Sequence, residues 1–493
     1  MATGSEEPTS PPHSGIGMLR HGAIWVTLTS ALALPGSYFR NLLLGQFDSS
    51  GEVAGTFAAI LVLLEFMRTF VLFGGTSAVT HFLPRIREPA DKANFLLAYA
   101  FISFAVAVGL LGVVLIWPEI FDLITSHPSG TAERAALSFL ALIFLAQQLS
   151  VYALAGLMKF RLSSLITQYQ LFAMLTVLGL GHFFFPEAIR NHTLTIFAFT
   201  IGSASLLGVL LGSRVIVAEV GWPKGGRLPE TFWRFATQVH ANSICAFVYT
   251  NVDQIYILAQ LGRDKLGGYF LILQLSMLIQ FVPQRIGQVL LASFSNLIAE
   301  EEHERLRGIY LRLCRLTILL ATTLSLGMIF LSRFTVGIFG DWLVADHHYL
   351  VLLAAAANIG CVGSINSMLI LSKEQVGVYL ANNTAVIVVQ VLAMILLIPQ
   401  FGIEGAIWGR ILGTVAGQVG LFWIVRARIS EMHLRVPFEY WMSQVFVLGS
   451  AVALLRFEIA DTLTSLGAGL AVGGVFLLVI RFKPSELRAL LGR

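Results

Sequence analysis

Long apolar runs separated by short polar connections dominate this chain. Most of the runs exceed the roughly 18 residues that distinguish a membrane-spanning helix from a buried helix of a soluble core. Because these runs follow one another along nearly the whole chain, the pattern predicts an all-α polytopic membrane protein with about fourteen transmembrane helices. The runs lie near 23–44, 53–75, 94–117, 135–157, 164–185, 194–217, 236–260, 268–294, 316–339, 349–371, 376–398, 405–425, 441–457 and 463–480.

Lysine and arginine are distributed unevenly over the connections between these runs. If the N-terminus is cytoplasmic, most of the 32 lysines and arginines fall on the cytoplasmic side. By the positive-inside rule, both termini are therefore predicted to be cytoplasmic. Glu300–Glu302 and the arginines that follow are expected to form a solvated cytoplasmic loop. The opposite side holds only Arg134, Arg190, Arg263, Lys265 and Arg456.

Composition agrees with a membrane location. The chain has 493 residues, of which 56% are hydrophobic and 12% are charged. Soluble domains carry roughly 25% charged residues, so most of this surface must face lipid. The net charge of +4 is explained by the cytoplasmic connections, and no nucleic-acid partner is predicted. The three cysteines lack C-x-x-C spacing and are expected to be buried thiols.

Two halves of the chain look related. Arg40 to Phe57 and Asp253 to Phe270 each span 17 positions, end in Gly-x-Phe and begin on the same side of the membrane. A pair of six-helix repeats is a transporter architecture in which substrate binds between the halves near the bilayer midplane. The predicted domains are a disordered cytoplasmic tail (1–18), an N-terminal six-helix lobe (19–219), a cytoplasmic linker (220–235), a C-terminal six-helix lobe (236–428), and helices 13 and 14 with a cytoplasmic tail (429–493).

Three short motifs carry a resemblance to a known family. They are Asn-Val-Asp-Gln-Ile-Tyr-Ile at 251–257 followed by Leu-Gly-Gly-Tyr-Phe at 266–270, Leu-Met-Lys-Phe-Arg at 157–161, and Ile-Pro-Gln-Phe-Gly-Ile-Glu-Gly-Ala at 398–406. Together they resemble the polysaccharide flippases, the Wzx-like branch of the multidrug/oligosaccharidyl-lipid/polysaccharide (MOP) exporter superfamily. The resemblance extends over about 19–428, and the proline common near the end of helix eight in this family is missing at 291–295.

The resemblance implies two six-helix lobes arranged in a V around a central cavity that opens alternately to each side. It implies an amphiphilic substrate, namely a polyprenyl-pyrophosphate-linked oligosaccharide, in a bacterial cytoplasmic membrane. The lipid II branch uses cavity arginines on its first, second and eighth helices, and Arg40, Arg68 and Arg285 match those places. By the same analogy, helices 13 and 14 could form a groove for the lipid tail. A glycan polymerase and glycosyltransferases of the same pathway are further expected partners.

Charges inside the membrane are costly and are retained where they face a cavity or a partner. Arg40 could bind a phosphate or reach the outer interface. Asp253 occupies the equivalent position in the second repeat and could hold Arg40 or release it. Glu65 and Arg68 lie three residues apart on one helical face, so they form either a self-contained ion pair or a site where substrate competes for Arg68. Arg410, among glycines in helix twelve, could reach the cavity.

Uncharged polar residues also recur on single faces of the predicted helices. Helix eight carries Gln280, Gln284 and Gln288 at four-residue spacing, which suits either sugar hydroxyls or contacts between helices. Helix seven carries Gln238, Asn242, Tyr249 and Asp253. His240 on the same helix could relay protons or could be a hydrogen-bonded core histidine.

The sequence favours a flippase for a lipid-linked oligosaccharide that works by alternating access. One alternative is an ion-coupled antiporter for drugs or other amphiphiles. That alternative would require acidic residues to dominate the cavity, whereas arginines are more numerous there. A second alternative is a membrane glycosyltransferase or polymerase, although the connections on the outer side are short. No phosphate-binding glycine loop, metal motif or nucleophile motif is found, so no catalytic residue, metal or cofactor is predicted.

Overall fold

The computed structural model describes residues 29, 33–47, 49–116, 119, 122, 130–429, 437–457 and 462–481, without the side chains of 114, 115, 132, 282, 284–289, 291–293, 295, 296, 299 and 462. Within these ranges the chain forms fourteen main helical segments, several short helices and no β-strand. They are α1 (33–47), α2 (Glu52–Val71), α3 (Pro89–Ile116), α4 (Thr131–Gly156), α5 (Phe160–Phe184), α6 (Thr193–Val220), α7 (Phe232–Leu261), α8 (Arg263–Ala299), α9 (His303–Phe330), α10 (His347–Ile359), α11 (Val376–Phe401), α12 (Ile403–Arg428), α13 (Phe438–Phe457) and α14 (Thr462–Val479).

Short helices continue or connect several of these segments. A helix at Gly75–Phe82 continues α2, and a helix at Gly363–Ser372 continues α10. The remaining short helices are Pro186–Asn191 and Ser332–Phe339, with single 3-10 turns at Leu83–Arg85 and Asp341–Asp346.

The predicted class, an all-α polytopic membrane protein, is confirmed. Among the described residues, ten spans are long and apolar enough to cross a membrane, and one further apolar helix is shorter. The helices α7 and α8, with 30 and 37 residues, are long enough to cross a membrane but are not among the ten, and they carry polar residues such as Asp253 and Gln280 in their interior turns. A polar helix inside a membrane protein must direct its polar side chains toward protein or a cavity. Both α7 and α8 are therefore candidates to line a site.

One local expectation is wrong. The arginines after Glu302 do not form a loop, because α9 begins at His303 and includes them in its first turns. Ion pairs one turn apart stabilise this extension: Arg305 lies 2.9 Å from Glu302, and Arg307 lies 3.8 Å from Glu304. The apolar run identified only the apolar part of this helix.

The chain divides into two compact units. Of the described residues, the first unit contains those up to Leu43 together with those of Leu63–Ile244, and the second contains those of Leu44–Val62 and those from Cys245 onward. In the first unit an aromatic cluster packs α3 against the start of α7, with Phe95 6.1 Å and Tyr99 6.0 Å from the ring of Phe232. The predicted domain boundaries remain a prediction.

In the second unit, α11 and α12 pack unusually closely. The turn between them is made by Gly402, whose φ of 57° is a left-handed conformation that glycine adopts without strain. Glycines then recur on the face of α12 that meets α11, so that a side chain at Gly409 would collide with Met394 and one at Gly413 would collide with Gln390. Small residues at four-residue spacing let two membrane helices approach closely.

Candidate functional site

A buried carboxylate forms the centre of the second unit. Asp253 on α7 is fully buried, and its Oδ2 accepts a hydrogen bond from Nε of Arg410 on α12 at 2.7 Å. The hydroxyl of Tyr269 on α8 donates to the same oxygen. The backbone N–H of Gln254 donates to Oδ1 at 2.9 Å. We call Asp253, Arg410 and Tyr269 the carboxylate triad.

The polar groups of the triad are hydrogen-bonded mainly to one another and to nearby backbone groups. Arg410 also donates from Nη2 to the carbonyl of Thr250 at 2.9 Å, and its side chain is only 12% exposed. A carboxylate that has lost its water is tolerated when a cation and further donors surround it. Three helices supply those groups here, so the triad fixes how α7, α8 and α12 pack together. Its atoms offer little free capacity to a ligand.

A cavity of about 300 Å³ lies in the same unit. We call it the second-unit cavity. It is enclosed by residues of α7, α8, α10 with its continuing helix, α11 and α12. Its polar lining includes Tyr249, Gln280, Ser364, Asn382, Thr414 and Gln418.

A break in α10 makes room for this cavity. The helix is interrupted between Ile359 and Gly363, where the N–H of Cys361 bonds to Asn358 at 3.2 Å instead of reaching one residue further back to Ala357. The Ala357 carbonyl instead accepts a long hydrogen bond of 3.5 Å from Gln280 Nε2. Any side chain at Gly363 would collide with the amide of Gln418.

The first unit holds a more accessible pair of charges. Glu65 and Arg68 on α2 form an ion pair, as their spacing favours, and their side chains are 33% and 40% exposed. The hydroxyl of Tyr152 on α4 interacts with Arg68 and with Thr76. Unlike the carboxylate triad, this pair leaves part of the Arg68 side chain exposed, in the last turn of α2. Arg68 is therefore better placed than Arg410 to meet a ligand.

The other predicted residues have different surroundings. Arg40 donates from Nε and Nη2 to Oδ1 of the buried Asn41 at 3.1 and 2.9 Å. His240 stacks on Phe73 with ring centroids 4.4 Å apart, and its buried Nδ1 has no hydrogen-bond partner among the described residues. Asn242 is half-buried on α7.

Three predicted residues lie outside the described side chains. Gln284, Arg285 and Gln288 are on α8, but only their backbone is described. The predicted polar stripe of α8 can therefore be followed at Gln280 alone, where it does line a cavity.

Sequence reasoning missed several residues of both sites. Tyr269 stood within the quoted family motif but was not singled out, although a hydroxyl deep in a span needs a partner. Gln418, Thr414, Ser364 and Asn382 were also missed. The available signal was the repeated glycines of α12, which mark the helix face next to the one that carries Thr414 and Gln418.

The described helices define an all-α polytopic membrane fold. No family profile and no curated protein sequence matches the chain. Solved structures do match. The chain is similar to the lipid II flippase MurJ in an inward closed conformation, with a TM-score of 0.73, 14% identity, and coverage of 93% of this chain and 98% of that one.

Transporters of the MATE family share the fold as well. An inward-facing multidrug resistance MATE family transporter of the MOP superfamily gives a TM-score of 0.61 at 15% identity, covering 81% of this chain and 94% of that one. A mutant form of the Vibrio cholerae MATE transporter VcmN gives a TM-score of 0.52 at 13% identity, covering 84% of this chain and 98% of that one. At these identities the likeness establishes the fold, which this chain shares with the lipid II flippase and the MATE transporters.

Proposed function

We propose that this protein is a flippase for a polyprenyl-pyrophosphate-linked oligosaccharide in the bacterial cytoplasmic membrane. It moves the substrate by alternating access, and arginines of its spans bind the anionic pyrophosphate. The glycan polymerase and glycosyltransferases of the same pathway are its proposed partners. The similarity to a lipid II flippase over 93% of the chain supports this proposal, because lipid II is a lipid-linked glycan substrate.

The observation that carries the proposal is the state of the acidic residues. Within the described segments, Glu65 and Asp253 are the two acidic residues that lie more than one turn from a helix end. Each is paired with an arginine. A site for a cationic drug needs a carboxylate that is free to pair with the drug, whereas the Arg68 side chain is 40% exposed and can pair with an anion.

The alternative is an amphiphile antiporter, and the MATE likeness keeps it as the competing hypothesis. It differs from a flippase in what must bind. A cationic drug would have to displace Arg68 from Glu65, or Arg410 from the buried Asp253. The second displacement would leave a guanidinium unpaired in a desolvated site, which costs several kcal/mol.

The direct test is a leaflet assay in proteoliposomes that contain the purified protein. The substrate is a lipid-linked oligosaccharide with a fluorophore on its sugar, and a membrane-impermeant reductant bleaches only the outer leaflet. Without flipping, about half of the fluorescence should persist, because the substrate occupies both leaflets. With the wild-type protein, bleaching should go to completion.

Arginine variants connect this assay to the site. Arg68→Gln should slow flipping by at least about tenfold, because a hydrogen bond to a charged group contributes roughly 1.5–3 kcal/mol. Arg214→Gln is the matched control, since Arg214 is an exposed arginine near the end of α6. Equal rates in the two variants would remove Arg68 from the substrate path. No flipping by the wild type, with export of a cationic dye from the same vesicles, would favour the antiporter.

A further inference from the structure

The second-unit cavity has the size of a small-molecule site. Its volume of about 300 Å³ corresponds to about ten water molecules at ~30 Å³ each, and it lies at the lower end of the range of ligand pockets. The carboxylate triad does not line it, so the cavity needs a separate explanation.

The lining that the structure describes contains no charged side chain. An anion such as pyrophosphate would require lysine or arginine, and a metal or ammonium ion would require carboxylates. The lining instead combines amides, hydroxyls and two tyrosines with apolar side chains, two thiols, and glycines that leave space. A neutral ligand that can both donate and accept hydrogen bonds matches these groups.

Gln418 carries a buried hydrogen-bond acceptor that has no partner among the described residues. Its side chain lines the cavity, it is only 7% exposed, and its Oε1 has no hydrogen-bond partner in the described part of the chain. Buried acceptors are almost always paired, because an unpaired one forfeits the hydrogen bond that it made with water. A 180° turn of the amide, which exchanges its oxygen and nitrogen, would present this acceptor to a hydroxyl group in the cavity.

Other lining groups complete the match to a hydroxyl-rich ligand. Ser364 already donates to the carbonyl of Pro283 at 3.0 Å, so its oxygen is left as an acceptor. Thr414 donates to the carbonyl of Arg410 at 2.9 Å, and its oxygen accepts from the hydroxyl of Tyr249 at 3.3 Å, which leaves one further lone pair. Tyr249 and Tyr379 contribute aromatic surface to the lining, and such surface packs against the apolar faces of sugar rings.

We infer that the second-unit cavity binds a single neutral sugar residue through hydrogen bonds to Gln418 and its lining neighbours. The inference rests on the proposed function, in that the sugar belongs to the lipid-linked oligosaccharide. The cavity lining on α11 runs from Tyr379 to Val386, which are three and ten residues after the start of that helix. The helix starts close to Lys373, on the side predicted to be cytoplasmic. At 1.5 Å per residue the lining therefore reaches about 15 Å from that side, which is half of the ~30 Å hydrocarbon core.

Cys245 provides a reporter in the protein as it stands. It lines the cavity and is partly exposed, whereas Cys314 and Cys361 are buried. A maleimide should therefore modify Cys245 first, and Cys245→Ser identifies that signal. The probes are free glucose, galactose and N-acetylglucosamine, together with the neutral oligosaccharide released by mild acid from the lipid-linked pool of the source cells. At least one should slow labelling of Cys245 about threefold or more at saturation.

Gln418→Leu removes the acceptor at nearly constant volume and should weaken protection about tenfold, as expected for one lost hydrogen bond. Gln444→Leu is the matched control. Gln444 is also buried, at 8% exposure, and its amide is also without a partner among the described residues, but it lies on α13 and not in the cavity lining. If Gln418→Leu does not fold, Ser364→Ala takes its place.

The outcomes separate the two proposals. Lack of protection by every probe, in protein that still flips lipid-linked oligosaccharide, would overturn the sugar site and leave the flippase standing. Protection without flipping would support the sugar site and overturn the flippase. Equal protection in Gln418→Leu and Gln444→Leu would also overturn the site, because the sugar would then bind elsewhere.

Discussion

The carboxylate triad makes a quantitative prediction about stability. Arg410→Met removes the cation but keeps a long apolar side chain beside Asp253. The carboxylate then retains Tyr269 and the backbone N–H of Gln254, and it has no remaining positive partner among the described residues. Because Asp253 is fully buried, water cannot replace the guanidinium.

The expected loss is large. Breaking a buried ion pair by removing one partner costs roughly 3–5 kcal/mol, because the other charge remains desolvated. Asp253→Asn should cost less, about 1–3 kcal/mol, since Arg410 keeps its bond to Thr250 at 2.9 Å and is 12% exposed. In the double variant no charge is left to bury. We therefore expect Asp253→Asn to restore part of the stability that Arg410→Met removes.

The measurement is the apparent melting temperature of the four proteins in one detergent at one scan rate, since unfolding of such proteins is seldom reversible. The expected order is wild type, then Asp253→Asn, then the double variant above Arg410→Met. A double variant that melts at the temperature given by summing the single losses would refute the coupling. An unchanged melting temperature for Arg410→Met would show that the ion pair does not stabilise the fold.

Three further predictions use the same assay. Glu65→Gln should change stability by at most about 1 kcal/mol, because this pair is 33% and 40% exposed, and a large drop in melting temperature would contradict the exposed geometry. Gly413→Leu should destabilise the protein by roughly 1–3 kcal/mol, because the new side chain overpacks against Gln390. Gly377→Leu is the control and should not destabilise it, because the space around Gly377 is open. Similar melting of both variants would argue against the close α11–α12 contact. Ser443→Ala should lower the free energy of unfolding by about 1–3 kcal/mol, because Ser443 is hydrogen-bonded to Thr322 at 2.6 Å and to Asn358 at 2.8 Å in a buried cluster. Ser213 is exposed, so Ser213→Ala is the control and should melt like the wild type.

The fold was predictable because lipid imposes a simple length requirement. Fourteen apolar runs became fourteen helical segments in the described ranges, and the last two differ from their predicted bounds by only a few residues. The apolar pattern is uninformative where a helix leaves the bilayer. At the start of α9 the pattern stops at about Leu316, yet paired charges carry the helix back to His303.

Pairings within one helix were accessible to sequence analysis, and those between helices were not. Glu65 and Arg68 are three residues apart, so their contact follows from helix geometry. Asp253 and Arg410 are separated by 157 positions, and no local rule connects them. Both had nevertheless been singled out, because a charge in a span requires a partner or a cavity.

The second-unit cavity could not be predicted from the sequence for a different reason. Its lining is neutral, and serine, threonine, asparagine or tyrosine in a span is too common to attract notice. Gln418 becomes informative only when the structure shows that its amide oxygen is buried and, among the described residues, unpaired. The glycines of α12 predicted a close helix contact, but they did not predict the space on the neighbouring side.

The carboxylate triad and the cavity are connected through α12. Arg410, Thr414 and Gln418 follow at four-residue spacing, so all three lie on one face over about 12 Å. The triad fixes the rotation of this helix about its axis by holding Arg410 against Asp253. The same rotation turns Thr414 and Gln418 into the cavity, where Thr414 lies 3.3 Å from the hydroxyl of Tyr249. A charged pair that has little capacity to bind substrate can thus still orient the neutral residues that we propose do bind it.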